Sequence, residues 1–194
     1  MQLFTYAAAN APKAVDPLAH VLVLMACSAT KIETTSSVPL HRLYNGPLWQ
    51  TLRPHRGAIA WSNVFVLSGK YGFTSAGLFS QPYEEKISRQ KVGAIIARGL
   101  DGLPTDRHGL VIGPTIRADI GRTREEPFSR IIMAGAGDYR RFFHWLIEAM
   151  KADGLIAPGA DIAEVQGGIG EQRGQLGQWL RRMNEAPSIT SRAA

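Results

Sequence analysis

Apolar residues fall along this chain in two alternating kinds of segment. Some are short unbroken runs. His20–Ala26 reads H-V-L-V-L-M-A, rich in branched side chains, as a strand buried on both faces does. Asn63–Leu67, Gly109–Gly113 and Arg130–Ala134 are of the same kind, and Asp161–Val165 is a fifth candidate. Between them the apolar positions recur at helical spacing. Leu43–Leu52 has them at 43, 44, 48, 49 and 52, with Pro47 marking where regular helix begins. Glu84–Leu100 carries Ile87, Val92, Ile95, Ile96 and Leu100, and Glu84 and Glu85 suit the positive end of its dipole. Tyr139–Lys151 follows Asp138, a predicted N-cap, and Glu171–Met183 is a last helix.

Continuous apolar strands alternating with amphipathic helices predict a three-layer α/β domain: a mostly parallel sheet with helices on both faces. Its span is 20–184. The Ala- and Pro-rich stretch 1–19 reads as an irregular arm and 185–194 as a frayed tail. At 194 residues one domain is the default. There is no run of about 18 apolar residues, so no membrane span or membrane partner is expected, and the start of the chain does not read as a signal peptide. The expectation is a cytoplasmic protein. One cysteine excludes a disulfide framework and a four-cysteine zinc site, and the five histidines have no partners at i+3 or i+4. Neither metal nor cofactor is predicted.

Charge adds a partner class. The formal net charge is +6, and residues 1–97 hold nine Lys/Arg against four Asp/Glu. An anionic partner such as DNA, RNA or a nucleotide fits this bias. Ordinary solubility charge accounts for it equally well.

In open α/β sheets ligands bind beyond the carboxyl ends of the strands. Four loops there are rich in small residues, hydroxyls and lysines: Cys27-Ser28-Ala29-Thr30-Lys31, Ser68-Gly69-Lys70-Tyr71-Gly72, Gly135-Ala136-Gly137-Asp138-Tyr139 and Gln166-Gly167-Gly168-Ile169-Gly170. Cys27 is either a small buried hydrophobe or, beside Lys31, a nucleophile. Lys31 and Lys70 suit phosphate or a developing anion, or are solvated surface groups. Tyr44 and Trp49 could stack on a base or pack on the sheet. His41 is an acid, base or phosphate contact, or a structural histidine. Tyr83 lines the same pocket or orients the following helix. Gly135 and Gly137 offer free N–H groups at a helix start, and Gly168 with Arg173 repeats that arrangement. No Walker A, H-E-x-x-H or Gly-x-Ser-x-Gly motif is present.

The ordered set Cys27-Ser-x-Thr-Lys31, Leu43-Tyr44-x-Gly46-Pro-Leu-Trp49, Leu67-Ser68-x-Lys70-Tyr71-Gly72 and Pro82-Tyr83 resembles a family of small, mostly uncharacterised bacterial and phage proteins, over residues 20–150. More distantly, the pattern resembles the carboxy-terminal domain of archaeosine synthase, whose motif is P-C-x-x-x-K-P-Y-x-x-S-x-x-H. Cys27, Lys31 and Ser36 match at the same spacing, and His41 lies two residues further on than that motif's histidine. Ala26 stands where the family has proline, and no Pro-Tyr follows Lys31. A weaker likeness is to the YaaA-like proteins, linked to DNA binding and oxidative stress.

The resemblance implies a uracil-DNA-glycosylase-like fold and a nucleobase pocket at the strand ends. The expected function is base modification or glycosidic-bond chemistry on DNA or RNA. The alternatives are a DNA-binding protein without chemistry and a nucleotide or nucleoside hydrolase. Cys27, Lys31, His41 and Lys70 are the candidate catalytic residues. Ser28, Thr30, Tyr44, Ser68, Gly69, Tyr71, Gly72, Tyr83, Gly135, Gly137, Tyr139, Gly168 and Arg173 are the candidate substrate contacts.

Overall fold

The computed structural model describes residues 18–121 and 126–185. The arm, apart from its last two residues, and the tail, apart from Glu185, lie outside them.

Five strands form one sheet. Strand β1 (Val21–Ala26) is flanked by β3 (Val64–Ser68) and β6 (Phe128–Ala134), both parallel to it. Strand β7 (Ile156–Glu164) adds parallel to β6, and β4 (Gly72–Ser75) adds antiparallel to β3, giving the order β4-β3-β1-β6-β7. A separate two-residue pair joins β2 (Val38–Pro39) to β5 (Phe79–Ser80).

Helices cover both faces, and β1 shows why its sequence is apolar at every position. Successive side chains of a strand point to opposite faces. Val21, Val23 and Met25 pack with α1 (Leu40–Leu43), α2 (Pro47–His55) and α6 (Ile169–Glu185). Leu22 and Leu24 pack with α3 (Arg89–Arg98), α4 (Ile116–Gly121) and α5 (Asp138–Ala152). All six residues of β1 are buried. The chain is thus an α/β domain with a mostly parallel mixed sheet. None of its described helices is long and apolar enough to cross a membrane.

Several elements differ from the sequence reading. Residues 109–113 are not a sheet strand. Gly109 adopts φ +80°, and Leu110 and Val111 are 67% and 56% exposed. Only an isolated bridge, Thr105 to Val111, forms there. The cause is local: the Asp106 carboxylate accepts from the N–H groups of His108 and Leu110 at 2.8 and 3.0 Å, which fixes a turn. The remaining sheet position is taken by β4, of which the sequence reading placed Gly72 in a loop and left Phe73–Ser75 unassigned.

The helix expected from Glu84 begins at Arg89. Ser88 caps it, its side chain accepting from Lys91 N–H. Glu84 and Glu85 therefore stand ahead of the helix, away from its first turn. Asp138 is the first residue of α5, and Gly137, at φ +55°, holds the cap position. Strand β7 starts five residues earlier than the run Asp161–Val165.

Candidate functional site

Among the parallel strands, the chain passes from β1 to β3 on one side and later returns to place β6 on the other. The connections after β1 and β6 therefore lead away from each other at the carboxyl edge. That is the place where an α/β sheet opens a crevice.

Two groups meet across this boundary. The Cys27 Sγ and the Tyr139 Oη are 3.1 Å apart, although 112 residues separate them. Cys27 follows β1 directly, and Tyr139 is the second residue of α5. Their meeting depends on Gly135. A Cβ there would lie 2.9 Å from the Tyr139 Cβ and 3.2 Å from that of Ala26, tighter than ordinary packing. Burial and the Cys27 contact hold the Tyr139 phenol above the ordinary range of a tyrosine.

Beside this pair runs a buried hydroxyl chain. Ser68, the last residue of β3, accepts the N–H groups of Lys70 and Tyr71, each at 3.1 Å. Its hydroxyl hydrogen is left for the Tyr83 hydroxyl, 2.7 Å away. The Tyr83 hydroxyl is in turn hydrogen-bonded to that of Tyr44. Burial pushes the Tyr83 phenol up to about 12 and raises that of Tyr44 further. Both groups stay neutral at any physiological pH. Tyr71 donates to Ser80 at 3.0 Å, which ties the rim to β5.

Two lysines flank the same ring. Lys31 Nζ is 4.6 Å and Lys70 Nζ 5.7 Å from the centroid of Tyr83. Lys70 also lies 5.2 Å from that of Tyr71. Among the described residues neither ammonium meets a carboxylate. Two unpaired cations around one ring make the rim attractive to an anion.

The backbone that presents them is tightly fitted. Lys31 bridges to Tyr44, and Thr30 accepts from Asn45 N–H at 2.8 Å. Gly46 lies so close to Ser28 that a Cβ would meet its hydroxyl at 2.3 Å. Gly69 abuts the Glu85 carbonyl, which a Cβ would meet at 2.0 Å.

The rim therefore brings together Cys27, Ser28, Thr30, Lys31, Ser68, Gly69, Lys70, Tyr71, Gly72, Tyr83, Gly135, Gly137 and Tyr139. Other candidates stand elsewhere. Tyr44 is fully buried, so its ring lies in the core beneath the rim, and Trp49 donates from there to the Ala26 carbonyl at 2.8 Å. The half-exposed rings are Tyr71 and Tyr139. His41 stacks on Trp61 at 4.0 Å, beside the amino end of β3 and so at the opposite end of the sheet from Cys27. Burial and three arginines (Arg42, Arg56, Arg53) lower its pKa. Arg173 bonds Thr51 at 3.2 Å between α2 and α6. Gly168, in the loop before α6, donates its N–H to Glu171 at 2.7 Å.

One contributor carries no signal in the sequence. Lys91 reaches from α3 and donates to the carbonyls of Gly69 and Lys70, fastening the loop that presents Lys70. Burial lowers its pKa.

Compared with known proteins, the chain has no matching family model and no significant match to a curated protein or a solved structure.

Proposed function

We propose that this chain is an enzyme acting on a base of DNA or RNA, built on a uracil-DNA-glycosylase-like α/β domain. One observation carries the reading. A thiol and a phenol, Cys27 and Tyr139, meet at the sheet's reversal point, beside two ammoniums that no carboxylate among the described residues neutralises. A base must leave its stack to reach such a rim. The half-exposed ring of Tyr71 gives it a surface to lie on. Lys31 and Lys70 hold the adjoining phosphate or the charge that develops on the base. Cys27 gives up its proton to solvent and its sulfur adds to an electrophilic carbon whose π electrons move onto a neighbouring ring atom, or it positions that carbon, and Tyr139, whose phenol keeps its proton, donates a hydrogen bond to the sulfur.

Nucleoside mass spectrometry of DNA and tRNA tests this. Cells expressing the protein should gain or lose a base species relative to cells carrying an empty vector. Identical profiles in a host that supplies the substrate would leave binding without chemistry as the better reading.

A further inference from the structure

A second site, sharing no lining residue with the Cys27 rim, is a groove of about 350 Å³ between α2 and α6. We propose that this groove binds a phosphate group. It is lined by Thr51, His55, Gly170, Arg173, Gly174, Gly177 and Arg181, with no carboxylate among the described residues of its walls. Arg173 is oriented by its Nε–H donation to the Thr51 hydroxyl, itself anchored on the Pro47 carbonyl. Both terminal nitrogens of that guanidinium remain free of partners among the described residues. The His55 Nδ1–H donates to the Thr51 carbonyl at 2.9 Å, which leaves Nε2 as the free ring nitrogen. Arg181 Nη1 and His55 Nε2 converge on the surface of Gly177, at 3.4 and 3.7 Å from where its Cβ would stand.

Two guanidiniums and an imidazole facing one groove repel one another when protonated, and nothing in the walls offsets this. A bound oxyanion does, because the guanidinium fork matches the oxygens of a phosphate. The floor points the same way. Gly174 lies inside a 17-residue helix, where glycine weakens the helix, yet a Cβ there would touch nothing within 4 Å. No packing constraint requires a glycine at that position, and the space beside it is open. The site stands apart from the nucleic-acid reading, since a free phosphate, a mononucleotide and a strand backbone share this chemistry.

The open space at Gly174 allows a clean test. Gly174→Glu places a carboxylate beside the arginines on a Cβ that meets nothing within 4 Å, and Gly174→Ala is its steric control. The full chain is titrated with inorganic phosphate, and the NMR signals of the arginine Nε–H groups and the His55 ring are followed. Wild type and Gly174→Ala should show saturable shifts at Arg173 and His55, and Gly174→Glu should show none. Absence of a saturable shift in the wild type, or an unchanged response in Gly174→Glu, overturns the proposal. A second titration with a single-stranded oligonucleotide identifies the source. If the phosphate belongs to a strand, Gly174→Glu binds about tenfold more weakly, with a salt slope shallower by about one. If wild type binds phosphate but no oligonucleotide, the groove stands and the nucleic-acid function fails. If oligonucleotide binding is strong and identical in all three proteins while phosphate shifts nothing, the reverse holds.

Discussion

The Cys27 sulfur and the Tyr139 hydroxyl oxygen face each other at 3.1 Å across the boundary between β1 and β6. Cys27 is supplied by the strand that starts the sheet and Tyr139 by the helix that follows its third parallel strand. Replacing Tyr139 by Phe keeps the ring and removes only the partner of the sulfur. Turnover should fall by about 10- to 100-fold, the scale of one positioned hydrogen bond in a reacting site. Oligonucleotide affinity should hold. Single-turnover rates measured beside binding isotherms separate the two. A parallel loss of affinity would mean that Tyr139 serves binding alone.

Lys31 and Lys70 flank Tyr83 without carboxylate partners among the described residues. Lys31→Met and Lys70→Met should therefore leave the thermal midpoint within a few degrees of wild type. Each should lower the slope of log affinity against log salt by about one for a single-stranded oligonucleotide. Fluorescence anisotropy at several salt concentrations reads this. An unchanged slope in both variants removes the lysines from the anion site.

The hydroxyl chain Ser68–Tyr83–Tyr44 makes stability depend on alkaline pH. The folded pKa values of Tyr83 and Tyr44 are raised, so the stabilisation is fully present below pH 10. It is lost as pH rises through about 12, where Tyr83 ionises in the folded state. Each such tyrosine contributes a loss of about 1.4 kcal/mol per pH unit within that window. Tyr83→Phe should cost about 1–3 kcal/mol at neutral pH, because it strips the buried Tyr44 hydroxyl of a partner. The alkaline slope should flatten in the variant. Tyr44→Phe combined with Tyr83→Phe should cost less than the two singly, which urea denaturation in a double-mutant cycle measures.

Gly69 has no room for a side chain against the Glu85 carbonyl, whereas Gly93 on α3 has open space. Gly69→Ala should destabilise the fold by about 1–3 kcal/mol and displace the loop that carries Lys70. Gly93→Ala should stabilise it by about 0.5–1 kcal/mol. Urea midpoints compare them directly; equal effects would show that the close approach at Gly69 relaxes freely.

Strands β1, β3 and β6 were legible in the sequence because burial on both faces leaves an unbroken apolar run. Strand β4 was not. It is a short antiparallel strand, Gly-Phe-Thr-Ser, whose composition is that of a turn. The run 109–113 misled because apolar residues between two glycines fit a buried strand and an exposed turn alike, and the Asp106 side chain decides between them. For the site, the loop positions followed from strand order alone. The pairing of Cys27 with Tyr139 did not, since no local pattern links residues so far apart. His41 and Arg173 show the same limit: their residue types suggest chemistry, but packing set His41 on Trp61 and Arg173 against Thr51. Nothing in the sequence around Lys91 marks it as the residue that fastens the Gly69–Lys70 loop.

The central claim is that the Cys27 thiol takes part in base chemistry. Nucleoside profiles of DNA and tRNA from cells expressing wild type and Cys27→Ala test it most directly, with folding and oligonucleotide binding of both proteins measured in parallel. The account predicts a base species that changes with wild type and stays unchanged with Cys27→Ala, although the variant folds and binds as wild type does. The same change produced by Cys27→Ala would contradict it.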